Sequence, residues 1–186
     1  TVVLDNAELT AGALTATANL GDLSMMSAEL DISDAAELTA KQSITATDAN
    51  LTSNSLTMTA VTGKLDGSRL TTTVTGQASV EAGDSVTLDG SKLGLGALTA
   101  SAKSGDLSLK SAEVDISGAA ELTAKQSITA TEASVEAASL AMTAETGSVE
   151  ASGLTATVAD QASVVAGDTV VLDNAELTAG ALTATA

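Results

Sequence analysis

Between residues 96 and 179, apolar and polar positions alternate in short runs, and the runs come in groups of three. Four consecutive segments of nearly equal length carry the pattern: GALTASAKSGDLSLKSAEVDIS, GAAELTAKQSITATEASVEAA, SLAMTAETGSVEASGLTATVA and DQASVVAGDTVVLDNAELTA. A period of two puts successive side chains on opposite faces of an extended chain, so each run predicts a short strand with one buried face. In the first run Leu98, Leu122, Leu140 and Ala162 point inward, followed two positions on by Ala100, Ala124, Met142 and Val164. In the second run the inward pairs are Leu107/Leu109, Ile128/Ala130, Val149/Ala151 and Val170/Leu172. In the third they are Val114/Ile116, Val135/Ala137, Leu154/Ala156 and Leu177/Ala179, while Thr99, Thr123, Thr143 and Ser163 fall on the outer face of the first. Ala, Leu and Glu are good helix formers, but the apolar spacings of three and four that a helix needs are missing.

Three short strands in ~21 residues, repeated in register, predict one coil of a parallel β-solenoid, with coils ~4.8 Å apart. The chain is long enough for about nine such coils. Gly83–Asp84, Gly105–Asp106 and Gly167–Asp168 stand where a first run ends and a second begins. They are expected to be corners, with Gly free to take positive φ and Asp bonding nearby backbone.

Longer repeats enclose the coil. AELTAKQSITAT occupies residues 36–47 and again 120–131, a shift of 84. TVVLDNAELTAGALTATA occupies 1–18 and 169–186, identical at all eighteen positions and shifted by 168, twice 84. At the single shift of 84 the same window keeps only ten of eighteen residues. The expected organisation of residues 1–186 is therefore one solenoid segment. It comprises a 168-residue tandem unit of two 84-residue blocks, followed by eighteen residues of the next, as if cut from a longer array.

Composition makes the predicted core thin. The chain has no Phe, Tyr or Trp, no Pro, no Cys and no His, yet 44% of it is apolar. Leu, Val, Ile and Ala fill a narrow triangular column that an aromatic ring would overpack, and Pro would remove a donor from a strand paired on both sides. Met25 and Met26 divide between core and wall. The net charge of −17, with seven basic residues, excludes nucleic acid as a partner and is repelled by anionic membrane surfaces. No stretch is long and apolar enough to span a bilayer.

Without His or Cys, nucleophilic catalysis with a histidine base is excluded and zinc sites are not expected. Asp115, Glu136 and Glu150 fall on outward positions with no aromatic platform for a sugar, so glycan cleavage is not expected. Neither a calcium β-roll pattern nor an EF-hand loop is present, and GALTATA lacks the Lys and following helix of a phosphate loop. No catalytic, cofactor-binding or metal-ligating residue is assigned, and no cofactor is expected. Thr-x-Thr recurs in LTATA (14–18), SITAT (43–47), LTMTA (56–60), RLTTTV (69–74) and LTATV (154–158), which raises ice binding, but the pairs fall on different walls by turns.

GALTATA, GDLSLKSAEVDIS and GDTVVLDNAELTAGALTATA resemble the haemagglutinin repeats of filamentous-haemagglutinin-type exoproteins. These are large bacterial surface proteins of the two-partner secretion route, and they include the stalks of contact-dependent inhibition proteins. The resemblance spans the whole chain and implies a right-handed parallel β-helix serving as an extracellular shaft. It supplies no functional residues to carry over. The expected function is a structural shaft or filament segment of a secreted or cell-surface adhesin, not an enzyme. Its expected partners are neighbouring repeats and, end to end, further copies. The competing class is a solenoid binding module with a glycan, receptor or ice-binding face, yet Ser108, Thr129, Glu150 and Val171 on the second wall form no uniform stripe.

Overall fold

Val2, Leu23, Ile44, Leu65, Val86, Leu107, Ile128, Val149 and Val170 recur at a constant spacing of 21. Each opens a two-residue strand, and the nine strands pair in parallel in chain order to form the second wall. The structure, a computed structural model covering residues 1–186, is an all-β parallel solenoid of nine coils with no helix. Backbone groups are satisfied mainly between coils: 138 backbone–backbone hydrogen bonds run through the molecule, most joining residues about one coil apart. Each coil thus needs its neighbours, since alone it would leave both rows of polar groups and one apolar face unpartnered.

The third and first walls share the other sheet. In the early coils they are separate strands, such as Glu29–Ile32 and Ala35–Ala40. From Thr71 onward each pair fuses into one long bent strand, as in Thr71–Ala82, Lys92–Ala102 and Glu113–Ala124. The bend is a bulge where the register slips, for example between Ile116 and Ala119. The three predicted runs are therefore three walls, but pairing continues around one of the corners.

Register sets the interior. On the first wall an inward rank alternates without exception: Leu14, Ala36, Leu56, Ala78, Leu98, Ala120, Leu140, Ala162, Leu182. Beside it the next rank reads Ala16, Leu38, Met58, Val80, Ala100, Leu122, Met142, Val164 and Ala184. The third rank is alanine in every coil from Ala18 to Ala166, all buried. Each large side chain of the first rank thus lies between small ones above and below, filling the column without a vertical clash. Ala120, not Leu122, is level with Leu98 and Leu140, so the expected alignment of Leu122 is corrected by two residues. Matching Leu with Leu misled because the column alternates in size.

A second correction lies on the third wall, where Ala156/Val158, not Leu154/Ala156, are level with Val135/Ala137. Leu154 instead fills a buried corner rank with Ala112 and Ala133. Large and small residues compensate here too. A side chain added to Gly67 would come within 2.9 Å of Leu88 and 3.3 Å of Leu70, which already occupy its space.

The corners alternate with the coils. From third to first wall, three positions separate Leu95 from Leu98 but four separate Ile116 from Ala120. From first to second wall, Ala102 to Leu107 takes five positions and Ala124 to Ile128 takes four. The extra residue is returned within each coil, so the second and third walls keep a period of 21 while the first wall shifts. The Gly83, Gly105 and Gly167 corners exist as expected, but none has positive φ. Glycine is needed there for close approach: a Cβ on Gly105 would lie 2.8 Å from Asp84 Oδ1 and collide with Ser85 Oγ.

Positive φ belongs to the corner between second and third walls. Asn6, Ser27, Asp48, Arg69, Gly90, Ser111, Glu132, Gly153 and Asn174, spaced by 21, all have φ between 51° and 67°. Each is the third residue of a four-residue turn, as in the bond from Leu70 N–H to Gly67 O at 3.0 Å. That turn position favours Gly or Asn, and Arg69 and Glu132 are strained in it. Glu132→Gly is expected to stabilise the fold by about 1 kcal/mol, read as a rise in the urea midpoint, because the left-handed conformation costs a side chain that much.

Candidate functional site

No side-chain constellation converges on one point, so the candidate site is a set of outer ranks. On the second wall the outer rank runs Val3, Ser24, Thr45, Asp66, Thr87, Ser108, Thr129, Glu150, Val171. It carries no repeating apolar or aromatic anchor of the kind a binding face needs. A shallow groove of about 420 Å³ beside it is lined by Lys64, Asp89, Asp106, Lys110 and Glu150 among others, mixed in charge and open to water. Asp115, Glu136 and Glu150 are outward and exposed, and Asp115 is level with Glu136. No group of three or more carboxylates comes together to hold a metal ion. Met25 is fully buried and Met26 is half-exposed, divided between core and wall.

Threonine is spread over the walls. Thr15/Thr17 and Thr57/Thr59 lie on the first wall, Thr45 on the second, and Thr71/Thr73 and Thr155/Thr157 on the third. One first-wall outer rank gathers Thr17, Thr39, Thr59, Thr123 and Thr143, interrupted by Glu81, Ser101 and Val165.

The polar groups that do act together join one coil to the next. Asp5 Oδ1 accepts from Ser24 Oγ at 2.5 Å and from Met26 N–H at 2.9 Å. One 84-residue block further on, Asp89 Oδ1 accepts from Ser108 Oγ at 2.6 Å and Lys110 N–H at 2.9 Å. Asp22 and Asp106 accept from the N–H groups of Ser43 and Ser127 at 2.9 and 2.8 Å. Asp106 thus bonds backbone as its corner position implies, but the backbone is that of the next coil. Asp5 and Asp89 escaped the sequence reading, although each follows Leu before Asn or Gly at a spacing of 84.

Ion pairs follow the same direction. Asp48 accepts from Arg69 Nε and a terminal guanidinium nitrogen, both at 2.6 Å. Lys92–Glu113 at 3.1 Å, Lys125–Glu145 at 2.7 Å and Lys103–Glu81 also link adjacent coils. All are exposed, where a pair contributes between nothing and about 1 kcal/mol.

The Ser24 hydroxyl and Met26 N–H hold the Asp5 carboxyl below its usual value of 3.8, and the Arg69 guanidinium does the same for Asp48. A depressed folded pKa gives stability that is present above pH 3.8 and lost as the pH falls through the lower folded value. Asp5→Asn is therefore expected to be less stable than the parent at pH 6, and the difference should vanish near the acid limit. Urea titrations across that range check it.

One inner feature is unsatisfied. Thr72 Oγ1 and Ser53 Oγ are buried without a hydrogen-bond partner, whereas buried Ser91 donates to Gly67 O at 2.6 Å and accepts from Leu70 N–H at 3.1 Å. Thr72 borders an apolar void of about 10 Å³ among Leu56, Met58, Leu70 and Leu93. The equivalent positions of the second block, Ala137 and Ala156, carry no hydroxyl. Thr72→Val keeps the shape and removes the orphan group, so a gain of about 1 kcal/mol is expected by urea denaturation.

No family model, curated protein or solved structure matches the chain.

Proposed function

We infer that this chain is a spacer: a stiff, acidic rod segment of a large bacterial surface or secreted protein of the filamentous-haemagglutinin type. The observation that carries the reading is the unbroken register of nine coils, in which the second and third walls keep one constant spacing from end to end. A solenoid of this kind extends by adding copies, since each coil contacts only its neighbours. Charge of one sign keeps such rods apart sideways. The resemblance of GALTATA and GDLSLKSAEVDIS to haemagglutinin repeats supports placing the rod outside the cell.

Two measurements test the two halves of this reading. Small-angle scattering should give a rod of roughly 43 Å that lengthens by roughly 38 Å with each added 168-residue unit; a globular profile sinks the spacer. Antibodies raised against residues 1–186 should label unpermeabilised source cells or their medium. Labelling only after permeabilisation removes the exported-adhesin part and leaves the rod standing.

A further inference from the structure

On the outer face of the third wall one rank reads Thr10, Asp31, Thr52, Thr73, Gly94, Asp115, Glu136, Thr157, Thr178. Gly94 is the one gap in it. The fold does not require a glycine there: its φ is not positive, and an added Cβ would meet only Thr72 O, at an ordinary 3.8 Å. Gly96, two residues on, differs, since its Cβ would lie 2.5 Å from the carbonyl oxygens of Thr75 and Gly76. Glycine inside a strand weakens it, and one that packing does not explain marks close approach by a ligand or another chain.

The next two positions of the rank are also unfavourable in the free rod. Asp115 and Glu136 lie directly opposite one another, an arrangement in which like charges destabilise a sheet. Neither belongs to any of the four ion pairs, whereas Lys92, beside the gap, is already bonded to Glu113 at 3.1 Å. One block earlier the same places hold Thr10, Asp31 and Thr52, a filled rank with an isolated carboxylate. Gap and opposed carboxylates thus occur together, in one block of the 168-residue unit.

Two shallow recesses, of about 200 and about 340 Å³, meet over Gly94 and share Thr73 and Asp115 as their sides. Two coil steps, about 9.6 Å between backbones, separate those sides, and the floor between them is bare peptide. We propose that this notch takes the guanidinium of an arginine presented by a basic partner protein. The planar group lies on the backbone at Gly94 and donates in pairs to the Asp115 carboxylate, as an ammonium cannot. Its charge offsets the repulsion between Asp115 and Glu136, so an arrangement that destabilises the free rod is stabilised in the complex. The net charge of −17 steers a basic partner toward the rod. The carboxylates do not gather in a group of three, as a metal ion needs. The notch lies in mid-rod, so it is present whatever precedes or follows these coils, and it adds a docking point to the spacer.

A fluorescein-labelled hexa-arginine peptide, titrated with the full chain at ~0.15 M salt and followed by anisotropy, tests the assignment. The parent should bind it. Gly94→Thr fills the notch with the residue found at positions 10 and 178 and leaves the charge unchanged. It should weaken binding about tenfold, the loss of one charge-assisted pair. Asp115→Asn should do the same. Asp31→Asn removes an equal charge from the filled part of the rank and should change affinity by less than about twofold. Urea unfolding of Gly94→Thr should show a higher midpoint than the parent, because Thr suits a strand and Gly does not. A lower midpoint overturns the proposal, since the fold itself would then need the glycine. So does a Gly94→Thr chain that binds as the parent does, or an equal loss from Asp31→Asn and Asp115→Asn, either of which would reduce the binding to overall charge. A parent that does not bind the peptide overturns it outright.

Discussion

Ala124→Phe is expected to destabilise the solenoid by about 3 kcal/mol or more, the upper range of core overpacking. Ala124 is fully buried in the rank where every coil from Ala18 to Ala166 places alanine. Its neighbours in register are Ala102 and Ala144, and strands ~4.8 Å apart give a ring no vertical room. The ring cannot be accommodated by sliding coils either, because the ladders on both sides fix their spacing. Thr123→Phe is the control. Thr123 is one residue away and faces outward, where an aromatic residue fits the pleated surface, so a change within about 0.5 kcal/mol is expected. Urea unfolding of the pair separates interior width from a general intolerance of aromatic residues. Equal effects would mean that the alanine column is not what limits side-chain size.

Gly147→Ala should be nearly as damaging, at about 3 kcal/mol. Gly21, Gly63, Gly105 and Gly147 recur in alternate coils, at the five-position corner between first and second walls. A Cβ on Gly147 would lie 2.5 Å from Ser127 Oγ and 2.8 Å from both the carbonyl carbon and oxygen of Gln126. The hydroxyl can rotate away, but the backbone of the preceding coil cannot. Gly21→Ala makes the same change at the first of these corners. Its nearest neighbour is the Thr1 hydroxyl at 3.2 Å, and no backbone atom lies closer than 3.4 Å, so the effect should stay within about 0.5 kcal/mol. If both substitutions prove equally mild, the corner is not set by coil-to-coil approach.

Particular residues show where sequence reading succeeded. Leu107, Ile128, Val149 and Val170 were legible as one inward rank because the second wall keeps a strict spacing of 21. The outward placement of Asp115, Glu136 and Glu150 followed from the same alternation. Leu122 and Leu154 were placed facing inward but at the wrong level, since alternation fixes the face of a strand and not its partner. The left-handed corner is suggested by Asp89–Gly90 and Asp5–Asn6 but hidden in Thr131–Glu132, where nothing in composition marks a turn, and misplaced in Asp66–Gly67–Ser68–Arg69, where the glycine stands two residues before the positive φ. The candidate surface was legible mainly as an absence of assigned residues. The aspartates that tie coils together needed distances.

By itself the sequence determined the parallel solenoid, the number of coils and the thin aliphatic interior. Period-two alternation, copied at a fixed interval without aromatic residues or proline, buries its apolar side when successive coils stack in register. Only the tertiary structure decided which residues lie level with one another. The corners of three and four, or five and four, positions shift the first wall by turns, and such a shift is invisible until neighbouring coils are brought into hydrogen-bonding register. From that register come the alternation of Leu14, Ala36 and Leu56, the all-alanine rank and the isolated hydroxyl of Thr72. These properties belong to the contact between coils, which no single coil encodes.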